Sequence, residues 1–223
     1  RELTFSARED DLFYYTWWLD PVYLGRYPED ALRLYGEDAP DVGQGDMELI
    51  NQRVDVCPMN YYSSFLARAG SDGPEPVPHK PGYPMTTQDE WAIVPRGIRY
   101  AARFLYDRYG LPIVITENGH QNADYVMSDG KVHDPQRIDY IRRHLLELEK
   151  AIDNGVPVEG YFHWTIMDNF EWAFGYSVRV GLVYTDFETL ERFPKDSAEY
   201  YRRVMETNGK ALHRVPGPEI WPQ

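Results

Sequence analysis

Apolar and polar positions follow two rhythms along this chain. Three short runs, Val54–Asn60, Ile113–Glu117 and Val158–Trp164, have the length and β-branched content of buried strands. Between the first two, Pro95 opens a segment whose Ile98, Ala102, Leu105 and Tyr109 share one face, and Gly110 closes it; this predicts a helix with proline in its first turn and glycine at its end. After the second run, Asp134–Pro135 reads as an N-cap and first-turn pair. Ile138, Ile141, Leu145, Leu148 and Ile152 then repeat at helical spacing until Asn154–Gly155 stops them. A last helix is expected near Ser197–Glu206. Strands alternating with helices predict a parallel sheet with crossover helices.

The first fifty residues hold one helical stretch, about Arg8–Trp18, followed by the turn-rich DPVYLGRYPED. The segment Gly70–Pro84, rich in proline and glycine, reads as a loop able to cover a cleft. No internal repeat, low-complexity tract or clean linker divides the chain. Three strands cannot close a parallel barrel, and an eight-stranded one takes about 250 residues.

Composition narrows the function. With 223 residues and 43% hydrophobic content, the chain can bury a sizeable core. A net charge of −13 leaves no basic stripe for phosphates, which argues against nucleic acid and anionic membranes as partners. No apolar run of about 18 residues and no charged-then-apolar start suggest a membrane span or signal peptide. The single cysteine, Cys57, excludes an intramolecular disulfide and a cysteine zinc cluster; flanked by Val56 and Pro58, it reads as a buried inert thiol and fits a reducing, cytoplasmic setting. Eighteen tyrosines and six tryptophans are generous for such a core, and aromatic rings stack on the apolar faces of pyranoses.

The chemistry gathers where the strands end. The stretch IVITENGH drives a β-branched strand into a carboxylate, Glu117, followed by Asn118 and Gly119. The first strand ends in Asn60-Tyr61-Tyr62, and the third in His163-Trp164 followed by DNFEW, Asp168 to Trp172. Parallel α/β proteins collect their chemistry at carboxyl ends of strands. Carboxylates and amides there bind hydroxyls, while indoles take the C–H face of a sugar. His120 and His163 lack ligand partners at helical or strand spacing and read as packing or rim residues, so neither a metal nor a cofactor is expected. Taken one at a time, a glutamate at a strand end is a turn former and a tryptophan is a core residue.

Together, VITENG, WTIMDNFEWAFGYSVRVGLVYTDF, DVCPMNYY and DPVYLGRYP resemble the carboxyl-terminal half of glycoside hydrolase family 1, the retaining β-glucosidases and β-galactosidases. The resemblance runs from about residue 10 to residue 206. It implies a partial (β/α)8 barrel carrying about the last three strand–helix units, with the amino-terminal portion of the domain outside this chain. It implies Glu117 as nucleophile, Tyr62 as the phenol that holds it charged and oriented, and Asn60 beside them. Glu171 and Trp172 would bind distal hydroxyls of the sugar, with Trp164 as a platform. Two positions depart from the family pattern: Val180 replaces an aromatic residue, and Pro58 replaces a glycine.

The general acid/base of the family lies in an asparagine-glutamate-proline triplet, which this sequence does not contain. Loss of general acid catalysis costs about 10²–10⁴-fold in rate. The resemblance therefore implies a β-glycosidase acting on β-glycosides or oligosaccharides that is inactive as this chain alone and needs a complementary amino-terminal chain or fragment. Two alternatives stay open: a sugar-binding or scaffolding relative without catalysis, and a self-standing three-stranded domain covered by helices on both faces.

Overall fold

In the computed structural model, which describes residues 15–71, 74–87 and 91–214, the three expected strands form one parallel sheet. In chain order the helices α1 (Trp17–Leu24), α2 (Glu29–Tyr35) and α3 (Asp46–Ile50) precede β1 (Cys57–Asn60) and the pair β2 (Leu66–Ala69) and β3 (Pro74–Val77). Then come α4 (Pro95–Tyr109), β4 (Ile113–Asn118), α5 (Pro135–Asp153) and β5 (Val158–His163), followed by β6 (Val183–Thr185), β7 (Arg192–Pro194) and α6 (Asp196–Glu206). The sheet order is β1-β4-β5, so α4 and α5 are its crossovers.

Several boundaries differ from the expectation. Strand β1 begins at Cys57, not Val54, because its ladder starts where the Cys57 amide meets the Pro112 carbonyl at 2.8 Å. Of the helical stretch Arg8–Trp18, residues 8–14 lie outside the described residues. The described helix α1 runs on to Leu24, into the stretch expected to turn. Tertiary contacts decide this: buried Asp20 accepts bonds from Arg108 Nε at 2.7 Å and Tyr109 at 2.8 Å on α4, and Gly25 closes the helix at φ 66°. The expected loop Gly70–Pro84 contains a strand, β3, paired antiparallel with β2. Its prolines are tolerated because a two-stranded ribbon is all edge. On α5 the buried row ends at Ala151, which leaves Ile152 exposed.

One face of the sheet carries the core. Cys57, Met59, Ile113 and Ile115 pack against Ile98, Ala102 and Leu105 of α4 and Leu148 and Ala151 of α5. Each large side chain buried this way stabilises the fold by about 1.5–3 kcal/mol. A second cluster, Ile138, Ile141, Leu182, Tyr200, Val204 and Leu212, seats α6 on α5. The opposite face is bare: Asn60 and Thr116 are exposed, and so are Phe162 at 61% and, beyond β5, Ile166 at 64%. No helix among the described residues covers this face, so the described sheet has helices on one face alone. Among the described residues, no helix is long and apolar enough to cross a membrane.

The ladder contains one irregularity that matters for the site. Ile113 and Ile115 face the helices, so strict alternation would send Glu117 the same way. It does not, because Met59 pairs with Ile115 but Asn60 pairs with Glu117, while Ile115 pairs with Tyr161 but Asn118 pairs with His163. Relative to both neighbours, β4 carries one extra residue at Thr116–Glu117. After this bulge the parity flips, Asn118 takes the buried position, and Glu117 faces away from the helices.

Candidate active site

At the carboxyl ends of β1, β4 and β5 lies a cleft of about 530 Å³. Its walls include Tyr62, Trp91, Glu117, Trp164, Glu171 and Trp172. Tyr62 donates its phenol proton to Glu117 Oε2 at 2.6 Å. Burial first, and then the bond to this carboxylate, push the Tyr62 pKa far up, so the phenol is a neutral donor at any working pH. The Tyr62 ring packs 5.4 Å from that of Trp91.

The opposite wall is the loop after β5. Trp164 Nε1 donates to Glu171 Oε2 at 3.3 Å, which orients both the indole and the carboxylate. Glu171 and Gly175 close a tight loop through the Glu171 amide and the Gly175 carbonyl at 2.7 Å. Inside it Trp172 sits at φ 42°, a left-handed conformation that costs a bulky residue about 1–3 kcal/mol, and its side chain is 81% exposed. This backbone holds the Trp172 indole exposed at the wall of the cleft.

Glycine is obligatory where this loop crosses β4. A Cβ on Gly119 would stand 2.0 Å from the Trp164 carbonyl oxygen. The motif Thr116-Glu117-Asn118-Gly119 thus divides its labour: Thr116 donates to Asn60 Oδ1 at 2.7 Å, Glu117 faces the cleft, Asn118 is buried, and Gly119 lets the next strand's loop approach.

Beneath the cleft runs a buried ionic lattice. Lys195 reaches Asp124 at 2.6 Å and Asp168 at 2.9 Å; Arg137 reaches Asp124 at 2.7 Å and also pairs with Asp134. Arg179 holds Asp168 at 2.8 Å. Burial alone would raise the Asp124 pKa, but Arg137 and Lys195 outweigh it and hold the carboxyl below its ordinary range. Arg137 also donates to the main-chain carbonyls of His120, which lines the cleft, at 3.2 Å and of Arg179, next to the cleft-lining Val180, at 3.1 Å.

Five of the six sequence-expected residues line one cleft: Glu117, Tyr62, Trp164, Glu171 and Trp172. Asn60 does not; its amide oxygen is taken by Thr116 on the exposed face. Sequence reasoning missed Trp91, Thr86 and Phe174 as wall residues. Trp91 follows the Pro/Gly segment, and its aromatic contact with Tyr62 across the fold has no sequence signal. Val180 is buried against the cleft, and His120 lines it as well. Burial, then the nearby Arg137, lower the His120 pKa to about 4, so it is a neutral wall residue. His163 is likewise held neutral, chiefly by burial. Among the described residues, no group of three or more metal-ligating side chains forms.

Residues 2–210 match the profile of glycosyl hydrolase family 1. β-Glucosidase A of Thermotoga maritima is 42% identical over 196 residues, covering 87% of this chain and 44% of that protein. β-Glucosidase 26 of Oryza sativa subsp. japonica is 34% identical over 216 residues, covering 86% and 41%. In structure, the Thermotoga maritima β-glucosidase in complex with glucoimidazole superposes with a TM-score of 0.81 at 41% identity, covering 91% of this chain and 46% of that one. The chain spans less than half the length of these relatives, and its parallel sheet corresponds to part of their barrel. On profile, sequence and superposition alike, the chain belongs to glycosyl hydrolase family 1.

Proposed function

We propose that this chain supplies the nucleophile side of a retaining β-glycosidase site. The observation that carries the reading is the 2.6 Å bond from Tyr62 to Glu117 at the floor of a cleft walled by Trp91, Trp164 and Trp172. Glu117 attacks the anomeric carbon of a bound β-glycoside, a glycosyl ester forms, and the leaving oxygen takes a proton from a second carboxyl group. Water then cleaves the ester with net retention. Tyr62 keeps the attacking oxygen oriented, and Glu171 with Trp172 and Trp164 holds the sugar. The kinship with β-glucosidases supports a β-D-glycoside as substrate.

A retaining mechanism needs the second carboxyl group about 5–5.5 Å from the nucleophile. Glu171, the other carboxylate that lines the cleft among the described residues, already accepts from Trp164, which suits it to sugar hydroxyls. In this reading the acid/base comes from a complementary segment outside these 223 residues, which also covers the bare face around Phe162 and Ile166.

The test has two arms. Purified chain is assayed on an aryl β-glucoside with and without a segment bearing the first five barrel strands of a relative; turnover is expected only with it, and robust turnover by the chain alone refutes the need for a partner. A fluorinated mechanism-based glycoside followed by peptide mass analysis is expected to label the peptide containing Glu117. A label elsewhere, or none while the segment is bound, overturns the nucleophile assignment and leaves a sugar-binding relative.

A further inference from the structure

We infer that Asn118 is a positioning residue: its buried amide holds the bulge of β4 in the register that turns Glu117 into the cleft. The inference deepens the nucleophile reading above, but it concerns the aim of the side chain and stands on the ladder itself.

The side chain of Asn118 is fully buried and spends its hydrogen-bonding capacity on the other two strand ends and α5. Its Nδ2 donates to the Tyr61 carbonyl at 2.7 Å and to the Tyr140 hydroxyl at 2.9 Å, and its Oδ1 accepts from the Tyr161 hydroxyl at 2.8 Å. Tyr140 in turn donates to the Tyr62 carbonyl at 3.2 Å. One amide thus ties the chain just after β1, the end of β4 and the body of β5, and through Tyr140 it reaches the main chain of the residue that bonds Glu117. The main chain closes around the same point, with the Tyr61 amide on the Glu117 carbonyl at 2.9 Å and the Trp164 amide on the Asn118 carbonyl at 3.0 Å.

Parity explains why such a fixture is needed. A regular strand would place Glu117 on the face of Ile113 and Ile115, among apolar side chains, and Asn118 on the bare face. The extra residue reverses this and brings Asn118 to the buried side, where the Tyr61 carbonyl and the Tyr140 and Tyr161 hydroxyls meet its amide. An apolar residue at 118 would take away the amide partner of the Tyr161 hydroxyl and of the Tyr61 carbonyl, each loss costly in a buried site. The amide therefore selects the bulged register over the regular one, and the carboxylate's direction follows from the backbone.

The test reads the ladder and the carboxylate without turnover, so a failure of the nucleophile assignment leaves it intact. In Asn118→Ala, hydrogen exchange at the Tyr61 and Trp164 amides is expected to quicken at least about tenfold relative to the Cys57 and Ile113 amides at the other end of the sheet. Carbodiimide labelling of Glu117, measured against the exposed Glu159 of β5, is expected to fall at least about threefold as the register relaxes. Tyr140→Phe and Tyr161→Phe, which each delete only a hydroxyl, shift both readouts the same way by less and decide the matter if Asn118→Ala does not fold. Leu148→Ala, a core change away from the rim, is expected to destabilise the protein and leave the Glu117 to Glu159 ratio unchanged. The inference is overturned if the two phenylalanine variants leave both readouts within about twofold of the parent chain's error, or if Leu148→Ala moves the labelling ratio as much.

Discussion

Replacing Gly119 by alanine tests the crossing of β4 and the loop after β5. The added Cβ would lie 2.0 Å from the Trp164 carbonyl oxygen, where ordinary contact begins at 3.4 Å, so backbone must move by at least about 1.4 Å. That carbonyl cannot drift freely. The Trp164 amide is bonded to the Asn118 carbonyl at 3.0 Å and the next amide, Thr165, to the Val180 carbonyl at 3.3 Å. Overpacking against such a fixed group costs about 2–3 kcal/mol. Gly160, one strand over, provides the comparison: its added Cβ would meet Val114 Cγ1 at 3.2 Å, the far end of a side chain that yields. Gly160→Ala also lowers the entropy of the unfolded chain, worth about 0.4–1 kcal/mol in its favour, so it is expected near neutral. Urea unfolding followed by far-ultraviolet circular dichroism should separate the two variants by about 2 kcal/mol. Tryptophan emission in native Gly119→Ala should also change, since Trp164 must shift against Glu171. If the two alanine variants agree within about 0.5 kcal/mol, the close approach is not a constraint and the account of this motif fails.

Tyr62→Phe removes a bond to a charged acceptor, worth about 1.5–3 kcal/mol, so labelling of Glu117 by a fluorinated glycoside should slow by roughly ten- to a hundredfold while unfolding stability falls less; an unchanged labelling rate would separate Tyr62 from the chemistry. Arg137→Met leaves Asp134 without a cation and Asp124 with Lys195 alone in a fully buried site and should cost about 3–5 kcal/mol in urea unfolding, and a cost under 1 kcal/mol would mean water reaches the lattice. His144 is stacked 3.9 Å from Tyr140, and its pKa is lowered to about 3 by burial. The unfolded chain therefore binds a proton that the fold refuses between pH 6.5 and about 3, and stability from this group is lost as pH falls through that window. His144→Phe should flatten the stability–pH slope there by up to about 1.4 kcal/mol per pH unit, one proton's worth, and an unaltered slope would place the acid sensitivity elsewhere.

The legible part of the molecule was local and periodic. Helix α4 ends at Gly110 and α5 begins at Pro135, as the sequence predicts, because a closing glycine, a first-turn proline and apolar spacing act within a few residues, whereas the expected N-cap Asp134 makes no side-chain cap bond and holds Ser197 and Arg137 instead. The convergence of Tyr62, Glu117, Trp164 and Glu171 is legible from strand ends sharing one rim of a parallel sheet together with the family resemblance of the motifs that carry them. What the pattern could not carry is parity: the row Ile113, Ile115, Glu117 puts the carboxylate on the helix-covered face, and only pairing with two neighbouring strands reveals the extra residue that reverses it. Long-range polar partners are hidden for the same reason. Asp20 waits for Arg108 and Tyr109, and Lys195 for Asp124, across separations that no window along the chain contains. The bare sheet face is a further consequence of scale, since apolar residues such as Phe162 read as core in a strand whichever face they occupy. The direction of Glu117 and the exposure of Phe162 are therefore hidden from the sequence for one reason. A strand's period says that two faces differ but not which one the helices cover, and both depend on the neighbours β4 and β5 acquire on folding.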